Sequence, residues 1–115
     1  TSGTVTYGLG LKDNASALGA NTNSYVTGAY DVSVTDAGTV AELSAIETAT
    51  TGTVTYGLGV KDQASALAAN TNSYVTGAYD VSVTDAGTVA ELSAIESDTT
   101  GTVTYGAGLK DQASA

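Results

Sequence analysis

The run Gly3-Thr4-Val5-Thr6-Tyr7 returns at Gly52-Thr53-Val54-Thr55-Tyr56 and again at Gly101-Thr102-Val103-Thr104-Tyr105, so the chain repeats itself every 49 residues. Between copies the departures are small: Leu11 becomes Val60, Asn14 becomes Gln63, Gly19 becomes Ala68, Thr48 becomes Ser97, Ala49 becomes Asp98 and Leu58 becomes Ala107. A fixed period of this size is the mark of stacked units, each burying its apolar face against the next. The repeats run 3–51 and 52–100, with a partial third at 101–115, and 1–115 reads as a single solenoid excerpt. Neither end carries an atypical capping unit of the kind that closes a soluble array, which leads us to expect an excerpt of something longer or a subunit joined end to end with others.

Each period contains two strand patterns. From Thr4 to Leu11 the odd positions Val5, Tyr7, Leu9 and Leu11 are apolar and the even ones are Thr or Gly; from Tyr30 to Thr35 the alternation sets Tyr30, Val32 and Val34 on one face. Period-two alternation of β-formers predicts strands with one buried face. An aspartate follows each strand and precedes a helical pattern. Asp36 stands before 37–47, where Val40, Leu43 and Ile46 share a side, and Asp13 before the shorter stretch 14–20. Asp13, Asp36, Asp62, Asp85 and Asp111 therefore read as N-caps of the helices that follow them. Strands separated by a helix and a loop pair in parallel through right-handed crossovers. The expected fold is an α/β repeat: a βα-solenoid with one parallel sheet and short helices, two coils per 49-residue repeat. The alternative is an all-β parallel solenoid in which those helices are turns.

With no His and no Cys, the histidine- and cysteine-based catalytic arrangements have no residues to use, and the regular aspartates suit capping better than acid–base work; no enzyme is expected. A net charge of −9 with only Lys12, Lys61 and Lys110 basic excludes general nucleic-acid affinity. No apolar run is long enough to insert in a membrane. No cofactor is expected, with calcium the one open possibility. Asp31 and Asp36, and Asp80 and Asp85 in the next copy, flank a strand and offer hard oxygen ligands. Stacking would also set Glu42 over Glu91 and Glu47 over Glu96, as rows of like charge.

The outward strand face carries Thr4, Thr6, Ser33, Thr35, Thr53, Thr55, Ser82 and Thr84, which in a stack would form a file of hydroxyls suited to ice or polysaccharide, or simply an exposed strand face. Tyr7, Tyr56 and Tyr105 would stack in register, as would Tyr30 and Tyr79, and these strand positions read as core. Tyr25 and Tyr74, inside Asn-Thr-Asn-Ser-Tyr, read as exposed. Gly52 and Gly101 read as helix-ending turns, and Tyr-Gly-Leu-Gly as a place where the strand bends.

The segments Val32–Ile46 and Val81–Ile95 (Val-Ser-Val-Thr-Asp-Ala-Gly-Thr-Val-Ala-Glu-Leu-Ser-Ala-Ile) resemble tandem repeats of very large bacterial secreted and cell-surface proteins, as does Thr53–Leu67. The resemblance implies an adhesin-like, surface-layer or extracellular matrix role, outside the cell or on its surface, often with calcium. The nonapeptide that binds calcium in some of these proteins is absent here. The functional expectation is a structural segment of an extracellular filament, surface layer or adhesin stalk, its partners further repeats or identical subunits. The alternative is a binding module that uses the outward Thr/Ser array or a Tyr row for ice or polysaccharide.

Overall fold

The computed structural model describes Gly3, Val5 and residues 8–111. The order is β1 (Leu11–Asp13), α1 (Ala15–Ala20), a 3-10 turn at Thr22–Ser24, β2 (Val32–Val34), α2 (Val40–Ala49) and β3 (Val54–Thr55). It then returns as β4 (Val60–Asp62), α3 (Ala64–Ala69), a 3-10 turn at Thr71–Ser73, β5 (Val81–Val83), α4 (Val89–Asp98) and β6 (Val103–Thr104). The class is α/β, with all strand pairs parallel: Leu11, Val32 and Val54 lie side by side across the first sheet, and Val60, Val81 and Val103 across the second.

One continuous sheet was expected; there are two open three-stranded sheets, ordered β1-β2-β3 and β4-β5-β6. The cause is local. The alternating run Thr53–Val60 does not stay straight, because the Gly59 amide donates to the Tyr56 carbonyl at 2.9 Å and Gly59 takes φ +87°, which only glycine adopts without strain. Val54–Thr55 on one side of that turn pairs with β2; Val60–Asp62 on the other pairs with β5. A parallel bridge between Gly38 and Val60, with the Lys61 amide donating to the Gly38 carbonyl at 2.8 Å, joins the two sheets.

The helices form where the apolar spacing places them, but later than the aspartates suggest. α2 begins at Val40, not Ala37, because Thr39 is its N-cap: Thr39 Oγ1 accepts the Glu42 amide at 3.1 Å and Glu42 Oε1 accepts the Thr39 amide at 3.0 Å. This reciprocal box satisfies two of the amides a helix start leaves open. Thr88 and Glu91 do the same for α4. Glu42 and Glu91 are thus capping groups, not a solvated row. α1 is capped by Asn14 Oδ1, which accepts the Ala17 amide at 2.8 Å, whereas Gln63 at the start of α3 makes no side-chain cap.

Leu43 and Ile46 of α2 and Leu92 and Ile95 of α4 point into the core, with α1 lying along α2 and α3 along α4. Val32, Val34, Val81 and Val83 close it from the sheet side. Full burial of a side chain of this size contributes roughly 1.5–3 kcal/mol, which is what holds strands of two or three residues in place. Gly52 is no helix cap. The C-cap of α2 is Thr50 in extended conformation, and Gly52 is needed because a Cβ there would strike the Tyr30 carbonyl. The molecule is elongated, 66 × 23 × 19 Å.

Candidate functional site

The carboxylates cap helices, though not their own. Asp36 Oδ1 accepts the amide of Ala15, the first residue of α1, at 2.7 Å; Asp62 Oδ2 accepts that of Val40, first in α2, at 3.0 Å. Asp85 Oδ1 accepts the Ala64 amide of α3 at 2.8 Å, and Asp111 Oδ2 the Val89 amide of α4 at 3.0 Å. Each aspartate therefore reaches back one coil, 21 or 22 residues, to the positive end of the preceding helix. The cap position of the helix that follows is already taken by Asn14, Thr39, Gln63 or Thr88. Sequence spacing finds the capping chemistry and misassigns its direction.

The calcium candidates are drawn into the same backbone network. Asp31 Oδ1 accepts the Thr53 amide and Asp80 Oδ1 the Thr102 amide, both at 2.9 Å, while Asp36 and Asp85 cap α1 and α3. Among the described residues, no group of three or more acidic side chains is assembled that could hold a metal ion.

Of the outward hydroxyl file, Thr4 and Thr6 lie outside the described residues. Ser33 is half-buried and sits between Lys12 and Thr55 across the first sheet; Ser82 sits between Lys61 and Thr104 across the second. Thr53 and Thr55 are exposed, and Thr35 and Thr84 are exposed just past β2 and β5. Each row is three residues wide and begins at a lysine. Extending the Thr4, Thr6, Gly8, Gly10 alternation one step further to Lys12 would have found that lysine in the sequence.

The tyrosines gather where the repeats meet. Tyr56, buried after β3, stacks on Tyr79 with ring centres 4.3 Å apart and meets Tyr74 edge-on at 5.9 Å. These are unlike positions. Tyr7 lies outside the described residues; Tyr56 and Tyr105 follow strands of different sheets and do not build the register stack that identity suggests. Tyr74 corrects its reading too, being 3% exposed where Tyr25 is 53% exposed. Burial, aided by neighbouring Tyr79, Glu47 and Tyr74, pushes the Tyr56 hydroxyl up to about 12. The Tyr74 hydroxyl is also raised, by burial first and then by Glu47, with bonding to Ser44 and Asn72 opposing. Ser44, Glu47, Thr48, Asn72 and Tyr74 line an open groove of about 320 Å³ at this joint.

Two further cavities mark the ends. One of about 290 Å³ lies against β1, α1 and Tyr25; one of about 490 Å³ lies against α4, Tyr105 and Leu109. No helix among the described residues is long and apolar enough to cross a membrane. Fold and site together define a parallel α/β repeat whose units are cross-capped by aspartate. Comparison of the chain with protein-family models, with curated proteins and with solved structures finds no match to any of them.

Proposed function

We propose that this chain is a structural repeat segment of an extracellular filament, surface layer or adhesin stalk: a βα-solenoid that works by stacking coil on coil and displaying the outer surface that results. The observation that carries the reading is the cap relay. Asp36, Asp62, Asp85 and Asp111 each satisfy the helix of the coil before, so every coil is completed only by its successor. A design of this kind favours continuation over closure. Its role is mechanical, without catalysis. Its acidic groups serve as backbone acceptors in place of a cofactor site, with calcium left to the test below.

The binding reading, ice or polysaccharide on the hydroxyl face, is the weaker one. The Ser33–Thr55 and Ser82–Thr104 rows each start at a lysine and stop at the turn between sheets, and regular surface recognition needs an uninterrupted lattice. Negative-stain microscopy of the native material, with and without a calcium chelator, tests the proposal. Fibres or lattices that survive chelation are the expected result. Fibres that dissolve would make the aspartates calcium ligands as well as caps, and dispersed monomers in both conditions would overturn the filament reading.

A further inference from the structure

The sequence has no Cys, Met, Trp or His, so its seven tyrosines are the side chains that a one-electron oxidant takes most readily. Two of them touch face to face. Tyr56 and Tyr79 lie with ring centres 4.3 Å apart and planes 18° from parallel, whereas Tyr74 meets Tyr56 at 84° and 5.9 Å. The stacked pair also spans the break between the sheets: Tyr56 follows β3 of the first, and Tyr79 precedes β5 of the second. The backbone joins the sheets there through the turn at Gly59 and the bridge from Gly38 to Val60. Without cysteine, no disulfide can tie that joint.

We propose that Tyr56 and Tyr79 are a site of oxidative modification, joined by hydrogen peroxide and a peroxidase into a dityrosine that staples the two sheets. This goes beyond the filament reading and does not depend on it, because the link forms within one molecule. Each ring gives up one electron and its phenolic proton. Peroxide takes both electrons and both protons and leaves as two waters. The two phenoxyl radicals then form a carbon–carbon bond between positions ortho to their oxygens. The hydrogens at those carbons move as protons to the two oxygens, which restores both rings.

The geometry serves each step. Tyr79 is half-buried and Tyr56 only 8% exposed, so oxidation enters at Tyr79. Because the rings touch, a radical made on Tyr79 draws an electron from Tyr56, and the second oxidation again falls on Tyr79. The Tyr56 hydroxyl donates a 3.5 Å bond to the carbonyl of Tyr74, a residue that lines the open groove, so its proton has a short route to water. Stacking sets the spin-bearing carbons of one ring against the face of the other, which the edge-on Tyr74 does not do. The link closes a loop that holds β4 and α3, and restricts the unfolded chain as a disulfide would.

Treating the full chain, dilute, with hydrogen peroxide and a peroxidase tests it. The expected product is a monomer lighter by two hydrogens, with the blue fluorescence of dityrosine. Cleavage after Lys12, Lys61 and Lys110 should then leave 13–61 and 62–110 joined, with fragmentation placing the link at Tyr56 and Tyr79. Tyr56→Phe and Tyr79→Phe should each lose that link, while Tyr74→Phe, a like change in the same cluster, should keep it. Circular dichroism matching wild type separates loss of the link from loss of the fold. Unfolding the chain in urea before oxidation should cut the yield of this pair several-fold, and the linked monomer should unfold at higher urea than the unlinked one. No link, a link mapped only to other tyrosines, or a Tyr56–Tyr79 yield unchanged by urea overturns the proposal.

Discussion

At the scale of the residue, one side chain does two jobs in Asp62. Oδ1 accepts the adjacent Gln63 amide at 2.8 Å and Oδ2 the Val40 amide of the preceding helix at 3.0 Å. Asp13 occupies the same place in the repeat, and among the described residues its carboxylate takes the adjacent bond alone, at 2.7 Å. Loss of a cap typically costs about 1 kcal/mol, so Asp62→Ala should lower stability in urea by about 1–2 kcal/mol and Asp13→Ala by less than half of that. Equal losses would mean that the contact between coils carries no stability. Tyr56 gives a second residue-level test. Its hydroxyl is pushed from 10.0 to about 12 by burial first, then by its neighbours. The unfolded chain ionises earlier, so stability is complete below pH 10 and falls as pH rises towards 12. With solvent screening at the open groove, the loss should be on the order of 1 kcal/mol. Tyr56→Phe removes only a 3.5 Å bond to the Tyr74 carbonyl. It should unfold like wild type at pH 8 and lose less between pH 10 and 12, as urea titrations across that range will read.

Among the elements, the two short helices form an internal comparison. α1 begins at Asn14, whose Oδ1 accepts the Ala17 amide at 2.8 Å; α3 begins at Gln63 with the same backbone conformation and no side-chain cap. Gln is one methylene too long to fold back on its own first turn. Gln63→Asn should therefore stabilise the chain by about 0.5–1 kcal/mol, and a thermal melt with no rise would show that the bond from Asp85 to Ala64 already satisfies this helix start. The elements also divide by how plainly the sequence announces them. β2 and the apolar face of α2 are legible because Val32, Val34, Leu43 and Ile46 keep strict periods and all four are buried. The start of α2 was legible as well, since Thr39-Val40-Ala41-Glu42 is a capping-box sequence, though Asp36 draws attention away from it. The division of one expected strand into β3 and β4 was harder to see. Alternation continues straight through Tyr56, Leu58 and Val60, and only the glycine between the last two, at φ +87°, reports the turn. Which helix an aspartate caps was not legible at all, because its partner lies 21 or 22 residues away and is fixed by how the coils stack. The same holds for Tyr74: its polar flanks argue for exposure, and only its packing against Ser44, Glu47 and Tyr56 of the preceding stretch buries it.

For the whole molecule the governing quantities are shape and charge. A Cα radius of gyration of 16.3 Å exceeds the roughly 13 Å of a globule of this length, so nine excess negative charges are spread along a rod 66 Å long. The acidic groups that cap helices meet backbone amides, and with three basic residues against twelve acidic ones their mutual repulsion along the rod is moderated chiefly by solvent ions. At low ionic strength the Debye length is about 30 Å and reaches across several coils; at 0.1 M it is about 10 Å, and the repulsion between coils fades. Raising NaCl from 10 mM to 0.3 M should therefore stabilise the fold by about 1 kcal/mol, a rise in Tm of roughly 3–6 °C for a chain of this size. The divalent ions then separate screening from coordination. If the aspartates act as caps, with Asp31, Asp36, Asp80 and Asp85 each holding a backbone amide, calcium and magnesium at equal concentration should raise Tm equally. A calcium effect several degrees beyond that of magnesium would require oxygen ligands to gather around the ion. Since magnesium demands a tighter octahedral shell than calcium does, such a difference would mean that the cap relay can rearrange into a calcium site.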